Sequence, residues 1–352
     1  MWPKIIERSL LTLATRQRAT HNCFQVIISR RSKTNYVGVL SAPFNKGQRR
    51  PGVKDGPTAI KETGVLTRLQ EMGVVVKDYG EVPMDATKSA PKSPTKGGGH
   101  EVPLGPDGER NHTAVLTYNR KLASSVATVV KEGALCLTLG GDHSIAIGTI
   151  NGHAQANPDH QVVVLWVDAH ADINTGASSL SGNMHGMPVS HHLREVKDKV
   201  NRLPDKWPEP SISANHIAYI GLRDLDDAER VLLKDLGVLA YDMREVDNVG
   251  IEEVIRHCLE VLQPSGTRPL HVSFDIDSLD PAEAPSTGTP VRAGLTLREG
   301  LKIVEAARDT GFLKAFDLVE VNPELGKKDD ALLTAEAAKA VLLAALAGRR
   351  GT

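Results

Sequence analysis

The sequence predicts an α/β fold, a three-layer α/β/α arrangement around a central, mainly parallel eight-stranded sheet. Two observations carry this. Short runs rich in Val, Ile and Leu recur along the chain with helical stretches between them, the pattern of strands wrapped by helices. Several runs are apolar continuously rather than alternately, as in VVVLWV at 162–167, which fits strands covered on both faces. The eight expected strands are 36–41, 74–78, 135–139, 162–167, 216–220, 237–241, 270–275 and 315–320. With 352 residues, 40% of them hydrophobic, the chain can bury a large core.

The first 33 residues differ from the rest, with Lys4, Arg8, Arg16, Arg18, Arg30, Arg31 and Lys33 set against one acid, Glu7. Ile5, Ile6, Leu10, Leu11 and Leu13 can line one side of a helix there, the pattern of a mitochondrial targeting segment. A solvated basic arm on a cytoplasmic protein is the alternative. Residues 34–350 are then expected to form one catalytic domain. A helix is expected over GPTAIKETGVLTRLQEMG, where Pro57 suits a first turn, and another over TAEAAKAVLLAALAG near the C-terminus. Residues 84–112, with Pro91, Pro94, Pro103, Pro106 and the run Gly97 to Gly99, read as one long loop of no assigned function. Cys23, Cys136 and Cys258 are too few for a disulfide framework, and the last two sit in apolar patterns that place them in the core. No apolar run approaches the roughly twenty residues of a membrane span. A formal net charge of −1 argues against nucleic acid as a partner.

The polar residues that carry chemistry lie where the expected strands end, which is where open α/β sheets bind ligands. TLGGDHS follows the run at 135, VDAHAD ends the run at 162, and SFDIDSLDP ends the run at 270. Period-two alternation would put Asp168, His170 and Asp172 on one side of extended chain and pair Asp275 with Asp277. Buried carboxylates this close raise one another's pKa unless a positive charge compensates. A metal cluster would supply it. Oxygen and imidazole ligands without thiolate favour a hard or borderline ion, manganese ahead of zinc. Four aspartates would balance two divalent ions, and a pair about 3.5 Å apart can lower the pKa of a shared water towards neutrality. The expected chemistry is hydrolysis.

GGDHS at 140–144, DAHADIN at 168–174, SGNMHG at 181–186, SFDIDSLDP at 273–281, TGTP at 287–290 and VEVNP at 319–323 resemble, in order and separation, the signatures of the arginases within the ureohydrolase family. The likeness runs from about residue 36 to the C-terminal helix and is most like the mitochondrial, extrahepatic type. It implies two Mn2+ per chain, one held by His143, Asp168, Asp172 and Asp275, the other by Asp168, His170, Asp275 and Asp277, with Asp168 and Asp275 bridging. It implies attack of a bridging hydroxide on the guanidinium carbon of L-arginine, giving L-ornithine and urea. Asp172, His185 and Glu320 are the implied catalytic residues, His185 as proton shuttle and Glu320 as the carboxylate that pairs with the guanidinium. Thr289 would lie near the guanidinium, and Asn174 and Ser181 would contact the α-carboxylate. Ser179 and Asn183 belong to the same loop, and Asp226 would face the α-ammonium. A homotrimer is the implied assembly.

The chain departs from that pattern in the substrate loop, with Gly176 and Ala177 where Pro-Leu is common and Leu180 where a hydroxyl is common. Its 84–112 loop is longer than the pattern implies, and a C-terminal extension after AGRRGT is short or absent. Two alternatives stay open: an agmatinase-like hydrolase of another guanidine, which a preference for agmatine would reveal, and a catalytically silent guanidine-binding protein.

Overall fold

The computed structural model describes residues 36–84, 102–203, 208–263 and 265–347. The expected targeting segment at 1–33, with Cys23, and most of the first half of the 84–112 loop lie outside the described residues. Eight strands form one sheet: β1 Tyr36–Ala42, β2 Val75–Glu81, β3 Leu135–Gly140, β4 Val163–Val167, β5 Ile217–Leu222, β6 Leu239–Asp242, β7 Leu270–Asp275 and β8 Leu313–Val319. Their order is β2-β1-β3-β8-β7-β4-β5-β6. Every neighbouring pair is parallel, so the sheet is wholly rather than mainly parallel.

Both faces are covered, which is why the central strands read as continuous apolar runs. Leu135, Leu137 and Leu139 of β3, Val163, Leu165 and Val167 of β4, and Val272 and Phe274 of β7 face one helical layer. That layer holds α1 Gly56–Glu62, α2 Val65–Glu71, α6 Met243–Val249, α7 Ile251–Leu262, α8 Leu297–Asp309 and α9 Lys328–Leu346. Cys136, Val164 and Trp166 face the other side, where α3 His112–Lys131, α4 Ala146–Ala156 and α5 Asp227–Leu236 lie. Each fully buried Leu, Val or Phe contributes about 1.5–3 kcal/mol by leaving water. Cys136 and Cys258 are buried and unpaired, as the apolar patterns around them indicate.

The helix expected over residues 56–73 is instead two. Gly64 adopts φ 75°, a left-handed conformation that ends α1 and starts α2, so the glycine within GPTAIKETGVLTRLQEMG acts as a break. The C-terminal helix begins at Lys328, earlier than TAEAAKA suggests, because the side chain of Asp330 accepts a hydrogen bond from Lys327 N, which caps an otherwise polar first turn.

Buried imidazoles lie on α4 and in the segment just after Val189. His153 has no hydrogen-bond partner for either ring nitrogen, and His192 Nε2 lies 3.0 Å from the Ala146 carbonyl. Burial holds the pKa of His153 and His191 well below the ordinary histidine range and that of His192 down at about 3. The unfolded chain takes up these protons near pH 6.5 and the folded chain does not, so each group removes stability as pH falls below that value, by about 1.4 kcal/mol per pH unit. Urea denaturation at pH 7.5 and 5.5 should show His153→Leu losing less stability on acidification than the parent by about that amount; an equal loss would mean that the folded state protonates His153.

Candidate metal centre and substrate cleft

The end of β3 turns sharply because Gly141 lets the chain pass the backbone of Phe44: a Cβ on Gly141 would lie 1.9 Å from the Phe44 carbonyl oxygen. Asp142 then accepts hydrogen bonds from Ser144 N at 3.1 Å and Gly47 N at 2.8 Å, fixing the short 3-10 turn His143–Ile145. His143 is left buried, its ring stacked on Trp166 with centroids 4.2 Å apart. The expected alternation of Asp168, His170 and Asp172 along extended chain does not occur. The strand ends at Val167, His170 N bonds back to Asp168 Oδ1 at 2.7 Å, and Asp172 sits in the left-handed region at φ 51°. A turn, not a pleat, gathers these three side chains. Likewise Asp275 Oδ1 accepts from Asp277 N at 2.8 Å and caps the 3-10 turn Ile276–Ser278, which folds Asp277 back towards Asp275.

The six residues converge from three strand ends. His143 Nδ1 lies 3.0 Å from Asp168 Oδ2, 3.2 Å from Asp172 Oδ2 and 3.1 Å from Asp275 Oδ2. His170 Nδ1 lies 3.3 Å from Asp168 Oδ1 and 3.3 Å from Asp277 Oδ2. Two groups that could each hold a metal ion result, His143 with Asp168 and Asp172, and Asp168 with His170 and Asp277. They share Asp168, which offers a different oxygen to each. Asp275 joins the first set through Oδ2.

Charge decides what this cluster can do. Burial raises the pKa of Asp172 to about 6, with Asp168 adding to it, and burial together with Asp277 and Asp168 raises Asp275 well above the carboxylate range. Burial pulls the imidazoles of His143 and His170 down, yet the surrounding carboxylates override it and hold both well above the usual value. Asp168 shows the converse: burial opposes its ionisation, while His143 and His170 keep its pKa well below the ordinary range. The protein groups alone balance themselves only with protons. His143 Nδ1 itself, though surrounded by three carboxylates, has no aligned hydrogen-bond partner. A ring nitrogen aimed into a nest of carboxylate oxygens, with its proton given up, would fit a divalent cation.

Beside the cluster, Glu320 follows β8 in the left-handed region at φ 62° and is buried. Its Oε1 accepts from His143 N at 2.9 Å and stands 3.1 Å from His185 Nδ1. Burial would lower the pKa of His185, but Glu320 raises it to about 9. A cleft of about 290 Å³ opens above, lined by His170, Asp172, Asn174, Ser179, Ser181, Asn183, His185, Asp226, Asp275 and Thr289 among others. Every residue expected in the substrate set except Glu320 lines it. Thr289 Oγ1 donates to Asp277 Oδ2 at 2.9 Å, and Asn174 Nδ2 donates to Asp226 Oδ2 at 2.8 Å. Leu180, at 91% exposure, points away from the protein body.

Residues 35–348 match the sequence profile of the arginase family. The chain belongs to the arginase family. It is 45% identical over 316 residues to human arginase-1, covering 89% of this chain and 93% of that protein. It is equally 45% identical over 300 residues to human mitochondrial arginase-2, covering 84% of this chain and 79% of the other, so identity does not separate the two types. The arginase of Bacillus caldovelox superposes with a TM-score of 0.76 at 35% identity, covering 90% of this chain and 99% of that one.

Several residues that shape the site of this arginase-family chain escape the sequence reading. Ser273 Oγ sits 2.9 Å from His143 Nε2, and Trp166 Nε1 donates to Asp168 Oδ2 at 3.0 Å, so both orient candidate ligands from behind. Glu229 accepts from Ile173 N at 3.2 Å and Asp226 N at 3.0 Å, tying the substrate loop to α5, and burial raises its pKa to about 7. Arg223 is the largest omission. Its guanidinium donates to the carbonyls of Asp277 at 2.6 Å, Ser278 at 3.1 Å, Leu279 at 3.2 Å and Val291 at 2.8 Å, holding the Asp277 and Thr289 loops together at the end of β5. The signal was present in GLRDLDD, next to Asp226, but a buried arginine serving backbone carbonyls has no motif of its own. Arg223→Lys, which cannot fork to several carbonyls, should loosen the Asp168, His170 and Asp277 group and weaken its binding of a divalent cation about 10-fold or more. Metal counting after dialysis against a limiting divalent cation checks this, and a metal content equal to the parent's would show that the loops hold without the clamp.

Proposed function

We infer that this chain hydrolyses L-arginine to L-ornithine and urea, and we propose that it does so with two Mn2+ held by His143, Asp168, Asp172 and Asp275 on one side and by Asp168, His170, Asp275 and Asp277 on the other. The observation that carries the reading is the pair of ligand sets sharing Asp168 at the floor of a cleft that has acids and hydroxyls at its rim. The oxygen-rich donor set suits manganese. When bound, two such ions supply a nucleophilic hydroxide at neutral pH and Lewis acidity towards the guanidinium.

The chain's own residues do the rest. Glu320, whose Oε2 lies close to Gly288, would receive the planar guanidinium, whose N–H fork matches a carboxylate. Asp172 would accept a hydrogen bond from the attacking water and hold it in line. His185, 21% exposed on its side chain and paired with Glu320, stands between cleft and solvent, where an imidazole can pass a proton to the departing amine. Asn174, Ser179, Ser181 and Asn183 would take the α-carboxylate, and Asp226 the α-ammonium. Agmatine, lacking the carboxylate, would leave those donors unpaired, which disfavours it.

A single catalytic domain over 34–350, a homotrimer, and a mitochondrial location resting on the basic first 33 residues complete the proposal, with the cytoplasm as the other compartment. Among the described residues no helix is long and apolar enough to cross a membrane. Urea release by the manganese-loaded chain, with L-arginine and agmatine in parallel, tests the function. Asp275→Ala should lose at least 100-fold in turnover together with metal content; an unchanged rate would sink the assignment, and faster agmatine cleavage would move the substrate.

A further inference from the structure

Two departures that look unrelated in sequence meet in space. The C-terminal part of the long 84–112 loop forms a small hairpin, with an antiparallel bridge between Leu104 and Arg110 and a hydrogen bond from Gly105 N to Glu109 O at 2.6 Å. The hairpin lies on the substrate loop at the positions of two buried glycines. A Cβ on Gly176 would fall 2.5 Å from Glu109 Oε1 and 2.9 Å from Asp107 Cβ. A Cβ on Gly182, already at φ 69°, would fall 2.4 Å from Gly108 O. Arg110 N donates to Gly182 O at 2.7 Å, so the contact includes the backbone of the loop itself.

Glu109 cannot easily yield. It is 3% exposed, its Oε1 accepts from Asn201 Nδ2 at 2.7 Å, and its Oε2 accepts from Asp107 N at 2.9 Å. Asn201 also donates to Asp107 Oδ2 at 2.8 Å, so one side chain tethers the hairpin to the segment after α4 and β4. Between the two gripped glycines lie Ser179 and Ser181, which line the cleft. Their hydroxyls are partly occupied in shaping the loop, Ser179 Oγ accepting from Gly182 N at 3.1 Å and Ser181 Oγ from Asn183 N at 3.1 Å. A shift at either glycine therefore moves both hydroxyls.

We propose that the 103–110 hairpin, seated on Gly176 and Gly182, is a positioning element that sets this chain's selectivity for guanidines carrying an α-carboxylate. The inference rests on the proposed arginine-hydrolysing function. It explains why the common Pro is missing: any side chain at 176 would collide with the buried carboxylate of Glu109. The hairpin supplies from outside the stiffness that a proline would give from within the loop. The metal cluster, on the far side of the cleft floor, does not depend on it.

The experiment compares the manganese-loaded parent with Gly176→Ala and with Asn201→Ala, which releases the tether without touching the loop. Binding of L-ornithine and of 1,4-diaminobutane, which differs by lacking the carboxylate, is measured by titration calorimetry beside urea release. Both variants should keep two metals and a kcat for L-arginine within about twofold, while KM for L-arginine and Kd for L-ornithine rise about 10-fold and diamine binding stays unchanged. A loss shared equally by both ligands, or unaltered L-ornithine binding in both variants, would overturn the proposal. Absence of urea from the parent would instead strike the underlying function, and the ornithine-to-diamine ratio would still report on the hairpin.

Discussion

Four aspartates brought together out of water set the terms for the rest of this molecule. Like charges at these separations cannot all ionise in a medium of low dielectric without cations among them, and the imidazoles of His143 and His170 offset only part of that charge. The fold accepts an arrangement that is unfavourable for the protein by itself and that bound cations would relieve. A cation bound in this cluster would therefore stabilise the folded chain according to its affinity, whereas loosening the cluster would ease the repulsion in the metal-free protein and weaken its hold on the cation.

A wholly parallel sheet suits that burden. With helices on both faces, the strand ends are the one place where backbone can leave the sheet without a long solvent-exposed path, and turns from β3, β4, β5, β7 and β8 meet there. The convergence has a local cost. Asp172 and Glu320 both occupy left-handed backbone without being glycine, which is worth on the order of 1–2 kcal/mol each. Both carry side chains that face the cluster or its neighbour His185. Strain is concentrated where geometry matters for chemistry, and hydrogen bonds such as Glu320 N to Gly141 O at 2.9 Å hold it in place.

Much of this was legible in the sequence, for reasons that differ by residue. The strands could be read because two-sided burial writes itself as runs such as VVVLWV, and the ligands because strand-end aspartates alternate with histidine. What the sequence hid is how they meet. The spacing of Asp168, His170 and Asp172 is that of a strand, yet the chain turns at Asp168 because its carboxylate bonds to the backbone two residues on, an effect that no periodicity reveals. Gly64 looked like one weak position inside a helix and proved to be a boundary. Arg223 and Ser273 act on backbone carbonyls and on a ligand's far nitrogen, so their partners are fixed only once distant segments have met. Gly176 and Glu109, 67 positions apart by their numbering, each look unremarked until the loop that holds one lies on the loop that holds the other.

The position of β8 has a temporal meaning. It is the last strand in the chain but stands fourth in the sheet, between β3 and β7, with partners on both sides. As the chain leaves the ribosome, the halves β2-β1-β3 and β7-β4-β5-β6 have no direct seam to close, so the candidate metal ligands they carry would stay apart. Only when residues 313–319 insert does His143 come to face Asp275, and Glu320 arrives with them. Joining elements so distant in sequence is slow, since the entropy of closing a long loop must be overcome before any contact rewards it. A nascent or truncated chain that lacks β8 would thus not bring the full set of candidate metal ligands together, and the site would be completed only late in synthesis.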